Sequence, residues 1–306
     1  MFARAPALPY PVTAMQLLIQ TIVDGLLVGG LYVTISIGFS LAFGVLDVVD
    51  FAVGEWVMLG AFAGVGARSW LGIDPIAFLP AVFVIFAIAG SLVAPLIYRV
   101  RTSHYARPAL MALAFTFGIA TLARGAMLTG VGFDPRTVDT DIVKGTLMLG
   151  GIHMPWLRLA GFLFAIIATG LFIAFLFLTR TGLAVRATAQ SKQFASLMGV
   201  DVKRISGLVY ALYAGLTAMA GVLIGAIYSI TAQVGPEYTL LAFFVVVLAG
   251  LGSVGGVLIA GLFLGILQAL VTVYVGADYT LAVVFVVLFA VLLISPRGLL
   301  RRGLAA

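Results

Sequence analysis

The chain has 306 residues, 63% apolar and only 9% charged, with a mean hydropathy of +1.23. A water-soluble domain carries roughly 25% charged residues, so this composition excludes an ordinary soluble enzyme and points to hydrocarbon as the solvent. The absence of cysteine excludes disulfides, thiolate metal sites and cysteine nucleophiles. The net charge of +6 is scattered between apolar runs, the distribution of membrane orientation and not of a nucleic-acid-binding face.

In chain order, the charge-free intervals predict helical segments near 18–46, 51–67, 76–98, 108–129, 157–179, 205–229, 238–250, 256–275 and 279–295. The interval from Glu237 to Asp278 is long enough to cross twice, and the glycine-rich run Gly250–Gly256 splits it. Runs such as Leu240–Leu248 do not alternate apolar with polar residues, which argues against β-barrel spans. The expectation is an all-α integral membrane protein, residues 1–306 forming a single transmembrane domain with eight or nine spans. Nine follow if 18–46 and 51–67 both cross, and eight if the stretch around 47–67 only dips in and returns. Residues 1–14 carry no secretory pattern and are read as a dispensable extension.

Basic residues orient the chain. Arg99, Arg101 and Arg107, the stretch 180–204, and Arg297, Arg301 and Arg302 are assigned to the cytoplasmic side. Parity then puts 130–156 outside, where Asp134, Asp139 and Asp141 outnumber Arg136 and Lys144.

The stretch 180–204 is a long basic loop in an otherwise economical chain. With no Pro or Gly from Leu183 to Met198, it predicts a short helix, ended by Gly199. Phe194, Leu197 and Met198 fall on one face of it. Such a face rests either on the membrane surface or in the groove of a cytoplasmic partner.

Single residues are read more sparingly. Glu55 is an intramembrane acid, either structural or gating, or wet at the cytoplasmic interface. Arg124 is expected to snorkel from near the outer end of its helix. The pairs Gly25/Gly29, Gly60/Gly64, Gly221/Gly225 and Gly261/Gly265 read as helix-packing contacts. His104 and His153 are isolated surface residues and make no metal site. A shift of 201 positions superposes Val53-Gly54 on Val254-Gly255 and Gly60 on Gly261, a possible trace of duplication. Interrupted segments free backbone groups near the midplane, so Gly54, Glu55, Gly252 and Ser253 are expected to border a solute path or its gate. None of Lys144, Lys192 and Lys203 follows a glycine, so no nucleotide-binding P-loop is present.

The loop residues Gln193–Gly199 keep Ala195 and Gly199 of the loose Glu-Ala-Ala-x3-Gly pattern of ATP-binding-cassette (ABC) permeases. Thr179, Gly182, Arg186 and Ala187, followed by Leu197–Asp201, resemble more closely the permease subunits of branched-chain amino acid importers, the LivH type. Val49–Glu55 is similar to that family's Asn-Phe-Ala-x-Gly-Glu. Gly250–Ser253 with Gly256 and Gly261 is similar to its glycine-rich region, Ala249 departing from it, and Ser295–Leu299 to its ending. Asp50 stands where the family usually has Asn, and Val53 where many members have His, departures that leave the solute's identity open.

The resemblance implies an ABC importer permease fold with a cytoplasmic coupling helix. Arg186, Phe194, Ala195, Leu197, Met198 and Gly199 would couple to two ABC ATPase subunits. It further implies a second permease, identical or homologous, an extracytoplasmic substrate-binding protein, and a place in the bacterial inner membrane. The chain would hold no cofactor, ATP being split by its partners. The other class consistent with the composition, a self-contained secondary transporter or channel, calls for ionisable residues in mid-membrane, and few are evident.

Overall fold

In a computed structural model, residues 14–103, 107–149 and 151–295 are described; residues 1–13 of the N-terminal extension, His104 and the ending 296–299 lie outside them. All nine expected segments are helical. They are α1 (Ala14–Leu46), α2 (Val53–Leu71), α3 (Leu79–Arg101), α4 (Pro108–Val131), α5 (Trp156–Leu178), α8 (Val202–Ile227), α9 (Gly235–Ala249), α10 (Val254–Tyr274) and α11 (Thr280–Ile294). Seven of these stretches are long and apolar enough to cross a membrane; α2 and α9 are not among them.

The loop helix expected over 183–198 is instead two helices, α6 (Arg180–Gln190) and α7 (Lys192–Leu197). Ser191 adopts extended backbone between them, and its hydroxyl accepts the amide of Phe194, so a new N-cap breaks the run without Pro or Gly. The all-helical expectation also needs one addition: β1 (Thr146–Leu149) pairs antiparallel with β2 (Ile152–Pro155).

Side-chain ties identify the two ends of the bundle. At one end Gln20 bonds the backbone of His153 in the hairpin, and Asp24 pairs with Arg158 at 2.7 Å. At the other, the Lys192 ammonium donates to the carbonyl of Leu46 and Arg101 pairs with Asp47. Thus α1 runs from a hairpin end to a basic end. Burial lowers the Lys192 pKa below its ordinary value; Asp47 opposes this and Arg101 adds to it.

α1 is the most enclosed of the long helices and packs most extensively on α10. The glycine pairs make this possible. Gly25 and Gly29 meet Gly261 and Gly265 backbone to backbone, and Gly60 and Gly64 lie against α8, whose Gly221 and Gly225 face Val57 and Ala61. The small residues let helix axes approach closely where apolar burial gives no drive in lipid.

Candidate functional site

Two helices start inside the bundle. After α1 the chain runs through 47–52 as non-helical backbone before α2 opens at Val53. The level can be read from α8: Gly221 abuts the Val57 carbonyl, which lies about 28 Å along α8 from Val202 at 1.5 Å per residue. α2 then continues to the hairpin end, where Arg68 pairs with Asp141. From Ile230, bridged to Arg136, the chain turns inward to begin α9 at Gly235.

The N-terminal turns of α2 and α9 meet. Thr239 joins them through one hydroxyl, which accepts the amide of Gly54 at 3.0 Å and lies within reach of the carbonyls of Phe51 and Gly235. A methyl group at Gly54 would overlap the Gly235 carbonyl, and one at Gly235 would overlap the Glu55 carboxylate. Both glycines are therefore sites of close approach, satisfying the backbone groups that interrupted helices expose.

Glu55, in the first turn of α2, is only 1% exposed. Its Oε1 accepts from Arg124 Nη2 at 2.6 Å and from Nε at 3.2 Å, while Oε2 is buried with no partner. Glu55 is therefore not wet at an interface. Arg124 does not simply snorkel either: about 24 Å along α4 from Pro108, it turns inward because a buried carboxylate on α2 offers compensation that lipid cannot. The helix N-termini of α2 and α9 add positive potential at the same place.

A second buried acid, Asp50, lies nearer the basic end, opposite the first half of α8. Its Oδ2 accepts the hydroxyls of Tyr210 at 2.7 Å and Tyr213 at 3.1 Å, and its Oδ1 accepts the amide of Ala52 at 2.8 Å. More ionisable groups thus sit at depth than the apolar intervals suggest, because 47–52 rises into the bundle.

Gly252 and Ser253 are not part of this cluster. They form the α9–α10 turn, where Gly252 takes φ +82° beside Gly44 and Ser253 caps α10 through Gly256. α9 separates them from Gly54 and Glu55 by about 22 Å. The counterpart of the first interruption is 231–239, where Gly235-Pro236 is the local breaker signal.

In the basic loop, Phe194, Leu197 and Met198 are 72%, 80% and 85% exposed, whereas Ala195 is buried. Gly199 takes φ +84°, and Arg186 lies over the Phe177 ring at 4.6 Å. The projecting face is therefore Phe194, Leu197 and Met198. Ala195 and Arg186 support it from within.

Seven long apolar helices, two short ones meeting end to end inside them, and a buried ion pair at that junction define a multi-pass membrane transport protein. The chain matches the model of the branched-chain amino acid transport system permease component over residues 21–292 and belongs to that family, whose members are transporter subunits and not enzymes. It is 30% identical over 298 residues to the high-affinity branched-chain amino acid transport system permease protein LivH of Escherichia coli K12, covering 93% of this chain and 96% of the relative. Pseudomonas aeruginosa BraD, of the same description, is 28% identical with the same coverage. A probable LivH of Methanocaldococcus jannaschii is 27% identical over 83% of this chain and 82% of its own. No solved structure matches.

Proposed function

We propose that this chain is the translocation subunit of an ABC importer for branched-chain amino acids or a related small polar solute, working in a bacterial inner membrane. The observation that carries the reading is the family match along nearly the whole chain. In the importer, two ATPase subunits dock at the basic end, a second permease copy or homologue completes the pathway, and an extracytoplasmic binding protein delivers solute at the hairpin end. The chain itself carries no cofactor. Nine passes are supported by the route of α1 and of 47–71 from end to end, with 231–249 completing another pass beside them.

The α2–α9 junction is the gate in this reading. Glu55, Gly54 and Thr239 hold two short helices together, and alternating access follows when the junction opens to one end and then the other. Gly252 and Ser253, at the far end of α9, act as its hinge. Phe194, Leu197 and Met198 insert into the ATPase groove.

The test is uptake of labelled leucine by proteoliposomes containing the complete complex. ATP-dependent uptake that needs the binding protein is the expected outcome; uptake without ATP would move the protein to the secondary transporters. Leu197→Asp should release the ATPase while the permease stays folded, and copurification with coupled ATP turnover would remove α7 from the docking role.

A further inference from the structure

The hairpin end contains a cavity of about 530 Å³ that none of the expected site residues lines. Its size falls within the roughly 300–1,000 Å³ of small-molecule sites. It descends along α1 from Thr21 to Tyr32, a depth of about 17 Å, between the hairpin-side parts of α5, α8, α9 and α10.

The wall chemistry is specific. Asp24, Arg158, Glu237, Tyr32, Tyr238 and Gln268 are among its polar groups. Asp24 is engaged by Nη1 of Arg158 at 2.7 Å. Glu237 makes no ion pair or hydrogen bond among the described residues, so the wall carries one carboxylate more than it can neutralise. Gln268 adds an acceptor: its Oε1 is buried without a partner. An uncommitted carboxylate and an orphaned amide oxygen, flanked by tyrosine rings, form a site for a donor-rich cation. An ammonium group has three such donors. Val28, Val234, Ala269 and Val273 supply apolar wall beside them.

Position gives the cavity its meaning. Glu237 and Tyr238 belong to the first turn of α9, the turn whose Gly235 and Thr239 lock against Glu55 and Gly54. One turn of helix thus has the cavity on one side and the gate junction on the other.

We propose that this cavity is a solute site of the permease itself, in which Glu237 and Gln268 hold the ammonium group of a small zwitterion and Arg158 faces its carboxylate. The proposal rests on the import reading for its solute class. A solute seated there touches the α9 turn that must move for the gate to open.

The probes are leucine, 3-methylbutylamine (the ammonium without the carboxylate) and 4-methylpentanoic acid (the carboxylate without the ammonium). Binding is measured by saturation-transfer NMR on the permease–ATPase complex in nanodiscs, with the binding protein omitted. Leucine and the amine should bind, and Glu237→Gln should weaken both about tenfold or more, the scale of a lost charge-assisted hydrogen bond. Glu237→Asp should restore part of that loss, and binding of the acid should not respond to either change. Glu237 is exposed, so the glutamine variant should assemble normally, which size-exclusion chromatography of the complex checks. Failure of the amine to bind, or equal binding to Glu237→Gln, overturns the site. Leucine uptake by the wild-type transporter tests the import reading separately. Uptake with an unchanged KM in Glu237→Gln overturns the cavity and leaves import standing. Absence of leucine uptake beside Glu237-dependent amine binding overturns import and leaves the cavity.

Discussion

Asp50 and Glu55 are five residues apart, equally buried, and held in opposite ways. Asp50 is saturated: two tyrosine hydroxyls and a backbone amide occupy both of its oxygens. Glu55 is half-satisfied, with one oxygen on a partly exposed arginine and the other on nothing. A saturated buried acid fixes the chain, here pinning the rise of 47–52 to α8. A half-satisfied one costs free energy that only its surroundings can return, and it sits where two helix starts meet. The first is a fastener, the second a poised contact.

The largest effect is expected at Asp50. Asp50→Leu strands two buried tyrosine hydroxyls, at ~1–3 kcal/mol each, and should lower the thermal unfolding midpoint of the purified permease sharply. Asp50→Asn keeps an acceptor for the tyrosines and should cost far less. Equal midpoints for the two variants would mean that Asp50 fastens nothing.

Next in size is Arg124→Met, which leaves the Glu55 carboxylate without its cation. Removing one partner of a buried pair costs about 3–5 kcal/mol, and the partial exposure of Arg124 puts this case at the low end. Adding Glu55→Gln should recover most of the stability but not leucine uptake. Recovery of both would make the pair a structural tie like Asp50.

Smaller still is Gly54→Ala, which drives a methyl group into the Gly235 carbonyl at about 1–3 kcal/mol of overpacking. Gly66→Ala, in the same helix with open space beside it, is the control and should be neutral or slightly stabilising. Uptake lost in the first variant and kept in the second supports the junction as a gate. Loss in both would point to general intolerance in α2.

The smallest effect belongs to a third carboxylate, Asp74, in the loop after α2. Burial works to raise its pKa, but hydrogen bonds from the amides of Asp141, Ile76 and Ile142 and the Thr140 hydroxyl outweigh it, so Asp74 titrates below the ordinary value. A depressed carboxyl contributes stability that is fully present above the unfolded value of about 3.9. That stability is lost as pH falls through the lower folded pKa. Thermal midpoints at successive pH values below 4 should fall less steeply in Asp74→Asn than in the wild type.

The helices were legible because lipid imposes long uncharged runs, and every expected segment became one. The glycine pairs were legible as packing sites, but their pairing of α1 with α10 and of α2 with α8 was not, since spacing within a helix says nothing about its neighbour. Glu55 was legible as an intramembrane acid but its partner was not, and Arg124 was expected to snorkel, because the two meet across 69 positions of sequence. The non-helical rise of 47–52 ahead of α2 was not legible, because charge spacing marks the length of a segment and not where within it helix begins. The break at Ser191 was available locally, as a serine cap in a stretch lacking Pro and Gly. The start of α9 was legible to within three residues, but its meeting with α2 was not, because Gly54 and Thr239 lie 185 positions apart.

One feature of α1 reaches across these regions. It is an unbroken rod of 33 residues, about 48 Å long, whose last carbonyl, that of Leu46, accepts from Lys192 of α7 and whose opposite part forms the wall from Thr21 to Tyr32. Its glycine seam against α10, at Gly25 and Gly29, falls within that wall stretch and close to the middle of the rod, in the position of a fulcrum. Tilting the rod by about 10° around its middle would carry each tip roughly 4 Å in opposite directions. A push delivered beneath α7 would therefore arrive beyond that seam as a displacement of the Thr21 end of the cavity wall, with no intervening loop to absorb it.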